Sequence, residues 1–167
     1  MIIQLVLIGL ASVFLSSCAP GESGGSSAAS NEASKELVHR WIVGVWDNGD
    51  RELYAELATE DYVFSYPGSE DLRGEAFLGF GDSVRAAIPD LNNTIEQQYV
   101  EGDTVITRGT TRGTNLGAFG DIPASGNSVE VPWVLITRLR EGRVAEEWEV
   151  FDTLAFMTQI GAVSTSE

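Results

Sequence analysis

The 167-residue chain predicts an α+β fold, with N-terminal helices packed on a curved, mostly antiparallel sheet. Two observations carry this. Apolar residues recur at helical spacing as far as Ile88, and from Leu91 onward the period drops to two while β-branched content rises. The last two strand-like runs also match as a hairpin joined by Glu141-Gly142. An apolar fraction of 43% supplies enough side chains for a core.

The elements follow in order. Lys35–Asn48 places Leu37, Val38, Trp41, Ile42, Val45 and Trp46 on one helical stripe, with Ser34 as N-cap and Gly49 as the stop. His39, the single histidine, lies beside that stripe, where packing or exposure explains it. Asp50 caps a short helix whose inward residues are Leu53, Tyr54 and Leu57. Tyr62–Tyr66 is strand-like and closed by Pro67-Gly68. Gly74–Ile88 reads as a third helix with Phe77, Leu78, Val84 and Ile88 inward, ended by Pro89. Asp90 reads as a turn or cap residue. Strands are then expected at Thr94–Glu101, Thr104–Thr114, Ser128–Arg140 and Arg143–Asp152, before a short helix over Leu154–Gln159.

The final hairpin allows a sharper prediction. A two-residue turn pairs Arg140 with Arg143, and unbroken alternation then pairs Leu135 with Trp148 and Val131 with Asp152. In this register the large apolar residues of both strands share one face with Glu146 and Asp152. An acid on an apolar face is costly unless it is paired, protonated or open to a cavity, and desolvation raises its pKa toward a range useful for proton transfer. Asp152 has two readings: an acid–base catalyst, or a cap for the last helix. Trp133 and Trp148 would form core or ligand wall, Phe119 a pocket lip, and Arg138 and Glu147 an ion pair on the outer face. Val134, Ile136 and Phe151 would project outward and predict a surface for a homodimer.

Residues 1–17 (MIIQLVLIGLASVFLSS) form an uncharged apolar run ending in small residues, the pattern of a secretory signal. Leu15-Ser16-Ser17-Cys18 resembles the bacterial lipobox, which implies lipidation of Cys18, the single cysteine, and anchoring in the cell envelope. Residues 18–34, rich in Gly, Ser and Ala, read as a flexible tether, 35–161 as the domain, and 162–167 as a disordered tail. The formal charge of −15, with 25 acidic residues against 10 basic ones, excludes nucleic acid as a partner. The sequence has no metal-ligand spacing, P-loop, dinucleotide motif or nucleophile elbow, so no cofactor is expected.

Five stretches occur in one family's order: WDNGD (46–50), IPDL (88–91), GTNLGAFGDIPASG (113–126), RLREGRVAEEWEVFD (138–152) and MTQIG (157–161). They resemble the SnoaL-like polyketide cyclase (ester cyclase) branch of the nuclear-transport-factor-2-like superfamily, which includes ketosteroid isomerases. The resemblance implies a cone-shaped α+β barrel around an apolar pocket. It also implies cofactor-free aldol chemistry on a small apolar, enolisable substrate, with the acid–base aspartate of E-x-W-x-x-x-D falling on Asp152. Where relatives often carry histidine, this chain has Asn115 and Ser65-Tyr66. Asn115 can donate to an enolate oxygen but cannot shuttle a proton. Asn115, Phe119, Trp133, Trp148, Tyr66 and Glu146 are thus the candidate substrate contacts. The alternative function is a pocket that binds a small apolar ligand without chemistry.

Overall fold

The computed structural model describes residues 23–163. The signal segment, Cys18 and the chain end at 164–167 lie outside the described residues. The first helix, α1 (Ser23–Trp41), begins well before Lys35, so the expected tether is helical from Ser23. Ala28, Ala29, Glu32 and Ala33 are strong helix formers, and Lys35 donates to Glu32 at 2.7 Å across one turn.

At Ile42–Asp47 the helix widens into a π-helical turn. Arg85 closes its end, donating from Nη1 to the carbonyls of Val45 (3.1 Å) and Trp46 (2.9 Å). Gly49 turns the chain with φ +68°, and a Cβ there would meet the Arg85 guanidinium at 2.8 Å. Asp50 caps α2 (Arg51–Leu57), accepting from the Leu53 N–H at 2.9 Å. After β1 (Ala58–Ser65) comes α3 (Gly74–Ala87), followed by β2 (Asn92–Glu101), β3 (Thr104–Thr114), β4 (Ser128–Arg140), β5 (Arg143–Phe151) and α4 (Thr153–Gln159).

The five strands form one curved sheet in the order β1-β5-β4-β3-β2, antiparallel except for β1 beside β5. Helices pack on its concave face, the α+β arrangement expected from the sequence. The core has two parts. Trp41, Tyr62, Phe64 and Phe77 centre the first, with Tyr62 and Phe77 rings 5.0 Å apart. Ala87, Ile88, Val129, Val131, Phe156 and Ile160 form the second, beneath α4.

The β4–β5 hairpin begins as predicted and then departs. Glu141 and Gly142 both have positive φ (54° and 72°), a tight turn whose twist suits the strands, and Arg140 faces Arg143. Leu139 faces Val144, but Arg138 faces Glu146, so Ala145 is an extra residue in β5. This bulge reverses every later side chain relative to the unbroken register. Leu135 faces Glu149 and Trp133 faces Phe151, where Leu135–Trp148 and Val131–Asp152 were expected. Glu147, Glu149 and Phe151 therefore point inward; Glu146, Trp148 and Val150 point outward.

Glu147 is fully buried in the first core region. Its carboxyl accepts from the Tyr62 hydroxyl at 2.7 Å, the Trp46 indole N–H at 3.3 Å and the Thr137 hydroxyl at 3.3 Å. Burial pushes its pKa up from 4.5 to about 7, against the pull of these donors. The folded state then binds more protons than the unfolded chain between pH 4.5 and about 7, so stability falls as pH rises through that window. The slope from this one group is about 1.4 kcal/mol per pH unit. Thermal unfolding followed between pH 5 and 8 should show Tm falling with pH, and Glu147→Gln should make the fall shallower; parallel curves for the two proteins would assign the dependence elsewhere.

Candidate active site

Between the concave sheet, the π-helical turn, α3 and α4 lies a cavity of about 280 Å³. An apolar cavity of ~150 Å³ holds one benzene ring, so this one suits two fused rings. The wall draws Ile42 and Trp46 from the π-helical turn, Phe80 and Val84 from α3, Ile88 from just beyond its end, and Phe156 and Met157 from α4. The sheet supplies Thr111, Trp133, Leu135, Glu149 and Phe151, and Tyr66 and Phe119 approach from loops. Phe119 packs edge-on against Phe156, with ring centroids 5.2 Å apart.

Glu149 is the one carboxyl in this wall. Burial and the neighbouring Glu147 carboxylate together push its pKa from 4.5 up to about 8. A carboxyl poised near neutrality, in a water-poor apolar cavity, can both take and return a proton. Trp133 lies diagonally across the β4–β5 pair from Glu149, on the same inner face. Its indole N–H is buried and has no hydrogen-bond partner. The ring fits there because residue 109 is glycine: a Cβ would come within 2.3 Å of Trp133 Cζ2 and 2.6 Å of the Thr94 carbonyl. The cavity wall thus includes one carboxyl and a tryptophan whose indole N–H is unpartnered.

A second polar region lies toward the β2 edge. Asp47, at the end of the π-helical turn, accepts from Asn93 Nδ2 at 2.7 Å and from the Asn93 backbone N–H at 3.2 Å. Thr111 donates from its hydroxyl to Asn93 Oδ1 at 2.5 Å, and both Asn93 and Thr111 line the cavity. Burial pushes the Asp47 carboxyl up to about 6, although the Asn93 bonds and the nearby Arg85 charge oppose it. Among the described residues no group of three His, Cys, Asp or Glu side chains is placed to hold a metal ion.

Of the residues singled out from the sequence, Phe119, Trp133 and Tyr66 line the cavity. Four do not. Asp152 is exposed and caps α4, its Oδ1 accepting from the Ala155 N–H at 2.9 Å, so the capping geometry expected as its second reading is the one present. Glu146 faces outward and pairs with Arg138, the partner expected for Glu147. Trp148 is 40% exposed on the outer face. Asn115 is buried, but its amide holds the 115–126 loop together. Nδ2 donates to the Gly117 carbonyl at 2.8 Å, and Oδ1 accepts from the Ser125 N–H at 2.8 Å and hydroxyl at 2.9 Å. Phe151, expected outside, lines the cavity. All the displaced β5 residues share one cause, the bulge at Ala145. Its trace in the sequence is Val144-Ala145, two adjacent apolar residues that are both buried.

A family model described as SnoaL-like polyketide cyclase matches residues 36–160. Among solved structures, a SnoaL-like candidate polyketide cyclase from Jannaschia sp. CCS1 is 29% identical, with a TM-score of 0.74 over 80% of this chain and 95% of its own. IdmH from Streptomyces antibioticus, also described as a candidate polyketide cyclase, is 27% identical with a TM-score of 0.68, covering 77% and 98% of the two chains. TsrD from Streptomyces laurentii is 26% identical with a TM-score of 0.69, covering 79% and 97%. No curated protein matches the chain. The concave sheet with its capping helices and the match along residues 36–160 agree: this chain belongs to the SnoaL-like polyketide cyclase family.

Proposed function

We propose that the protein is an acid–base catalyst of cyclase or isomerase type, acting on a small apolar, enolisable molecule. The observation that carries this reading is Glu149, the single carboxyl in an apolar cavity, with a pKa raised to about 8. Glu149 as carboxylate takes a proton from the carbon beside a ketone. The enolate oxygen formed accepts the Trp133 N–H, otherwise unpartnered. Glu149, now protonated, returns its proton to a second carbon of the enolate in an isomerisation. In a ring closure the enolate carbon attacks a carbonyl of the same molecule, and the new alkoxide takes that proton. The apolar wall keeps water from quenching the enolate. This assigns to Glu149 the role that the resemblance would carry to Asp152.

The reading is tested by α-proton exchange of 2-tetralone, a bicyclic ketone, followed in D2O by NMR. The protein should accelerate exchange above background, with the rate rising toward an apparent pKa near 8. Glu149→Gln should lower that rate by about 100-fold or more, while Asp152→Asn, which preserves a capping side chain, should retain it. Loss of exchange in Asp152→Asn with retention in Glu149→Gln would return the chemistry to Asp152. Binding of 2-tetralone without accelerated exchange would favour the second function, a non-catalytic carrier of apolar molecules.

Two further parts of the reading concern where the protein works. Lipidation of Cys18 would tether the domain to the bacterial envelope, and α1 would stand between anchor and sheet. In a bacterial host, Cys18→Ser should move the protein from the membrane to the soluble fraction. The outer sheet face carries Tyr99, Ile106, Ile136 and Trp148 as one paired row across four strands. Tyr99, Ile106 and Trp148 are 57%, 38% and 40% exposed, and the Arg138–Glu146 and Arg108–Glu96 pairs flank the row. A second copy of the chain is the partner proposed for this surface. Light scattering on residues 23–167 should give a dimer mass, and Ile136→Lys a monomer mass.

A further inference from the structure

The hydrogen-bond chain at the β2 edge has a direction that fixes what the cavity can recognise there. Asp47 is flanked by Arg85 and receives two Asn93 N–H groups, the amide Nδ2 and the backbone N–H. With its Nδ2 turned to the carboxylate, the Asn93 amide must point Oδ1 the other way, toward Thr111. An amide oxygen can only accept, so the Thr111 hydroxyl has to spend its one proton on Asn93. What remains at Thr111 is oxygen lone pairs without a proton, in the wall of an apolar cavity. Trp133 is the opposite case, since its indole can only donate and has no partner.

The sheet register separates these groups. Thr111 faces Val131 on β4, whereas Glu149 faces Leu135, four residues along the same strand. Four residues of strand correspond to about 13 Å. Thr111 thus stands at the end of the cavity remote from the acid, with Trp133 between them.

Resting on the reading of the cavity as the site of chemistry, we propose that Thr111, oriented by Asn93 and Asp47, forms a specificity subsite for a hydrogen-bond donor, a hydroxyl group at the far end of the substrate. The substrate class is then a planar, two-ring ketone with its carbonyl near Trp133 and Glu149 and a hydroxyl on the distal ring. A substrate lacking that hydroxyl leaves the Thr111 lone pairs desolvated and unmatched, and an ether in its place offers no proton.

The test compares 2-tetralone with 6-hydroxy-2-tetralone, which adds a hydroxyl to the distal ring, by isothermal titration calorimetry on residues 23–167. Wild-type protein should bind the hydroxylated ketone at least fivefold more tightly. Thr111→Val, close in shape but unable to accept, should bring the ratio of affinities to about one, and Thr111→Ser should keep it near the wild-type value. A wild-type ratio of one, or a preference that survives Thr111→Val, overturns the subsite. Neither outcome touches the role of Glu149, which is read separately from the 2-tetralone exchange rate. If neither ketone binds, the subsite and the ligand-site reading fall together.

Discussion

The Glu147 carboxyl is the constraint on which the rest of the molecule depends. A carboxyl with no solvent access must find its partners inside the protein, and here they come from three other elements: Tyr62 on β1, Trp46 in the π-helical turn and Thr137 on β4. These bonds set where the N-terminal helices sit on the sheet. They also fix the orientation of Trp46, which forms part of the cavity wall. Three donors would ordinarily hold a carboxyl well ionised, yet burial outweighs them. The same residue imposes a like charge on Glu149 whenever it ionises, which helps Glu149 to hold its proton. Structural and chemical demands therefore meet on adjacent inward positions of one strand.

Much of this was legible in the sequence, because most of the elements follow the rules of local pattern. The helical stripe from Leu37 to Trp46, the Asp50 cap, the Glu141-Gly142 turn and the antiparallel run from β2 to β5 each arise from periodicity or turn chemistry, and all are present. The departures have equally local causes. The helix preceding Lys35 was hidden because Ser and Gly suggest a coil while the intervening Ala and Glu residues sustain a helix. β1 begins at Ala58 rather than Tyr62, since its first residues pair irregularly with β5 around the same bulge.

The site was less legible than the fold. Phe119, Trp133 and Tyr66 could be named from aromatic character and position, but the acid could not, because period-two reasoning has no means of registering a single extra residue. The unbroken register is attractive because it buries Trp148 and Val150 together. The molecule instead places Trp148 outside and buries two glutamates, an arrangement tolerable only because Tyr62, Trp46 and Thr137 are there to receive one and a cavity the other. None of those partners is close to β5 in sequence apart from Thr137. Asn115 was misread for a related reason: its family position suggested contact with substrate, whereas the Gly-rich loop around it contains the backbone groups that consume its amide.

The bulge at Ala145 also bears on how such a sheet can diversify. Because Ala145 is left out of the ladder, pairing it directly with Arg138 would exchange the set 147, 149, 151 for the set 146, 148, 150 on the inner face without altering any side chain. Deleting Ala145 would leave a regular hairpin with Arg138 still opposite Glu146 and Glu149 still inward, so it is the pairing of Ala145, and not its loss, that would replace a glutamate in the cavity by tryptophan or valine. The strand carries two alternative interiors in its sequence, and whether one residue is bulged or paired decides between them.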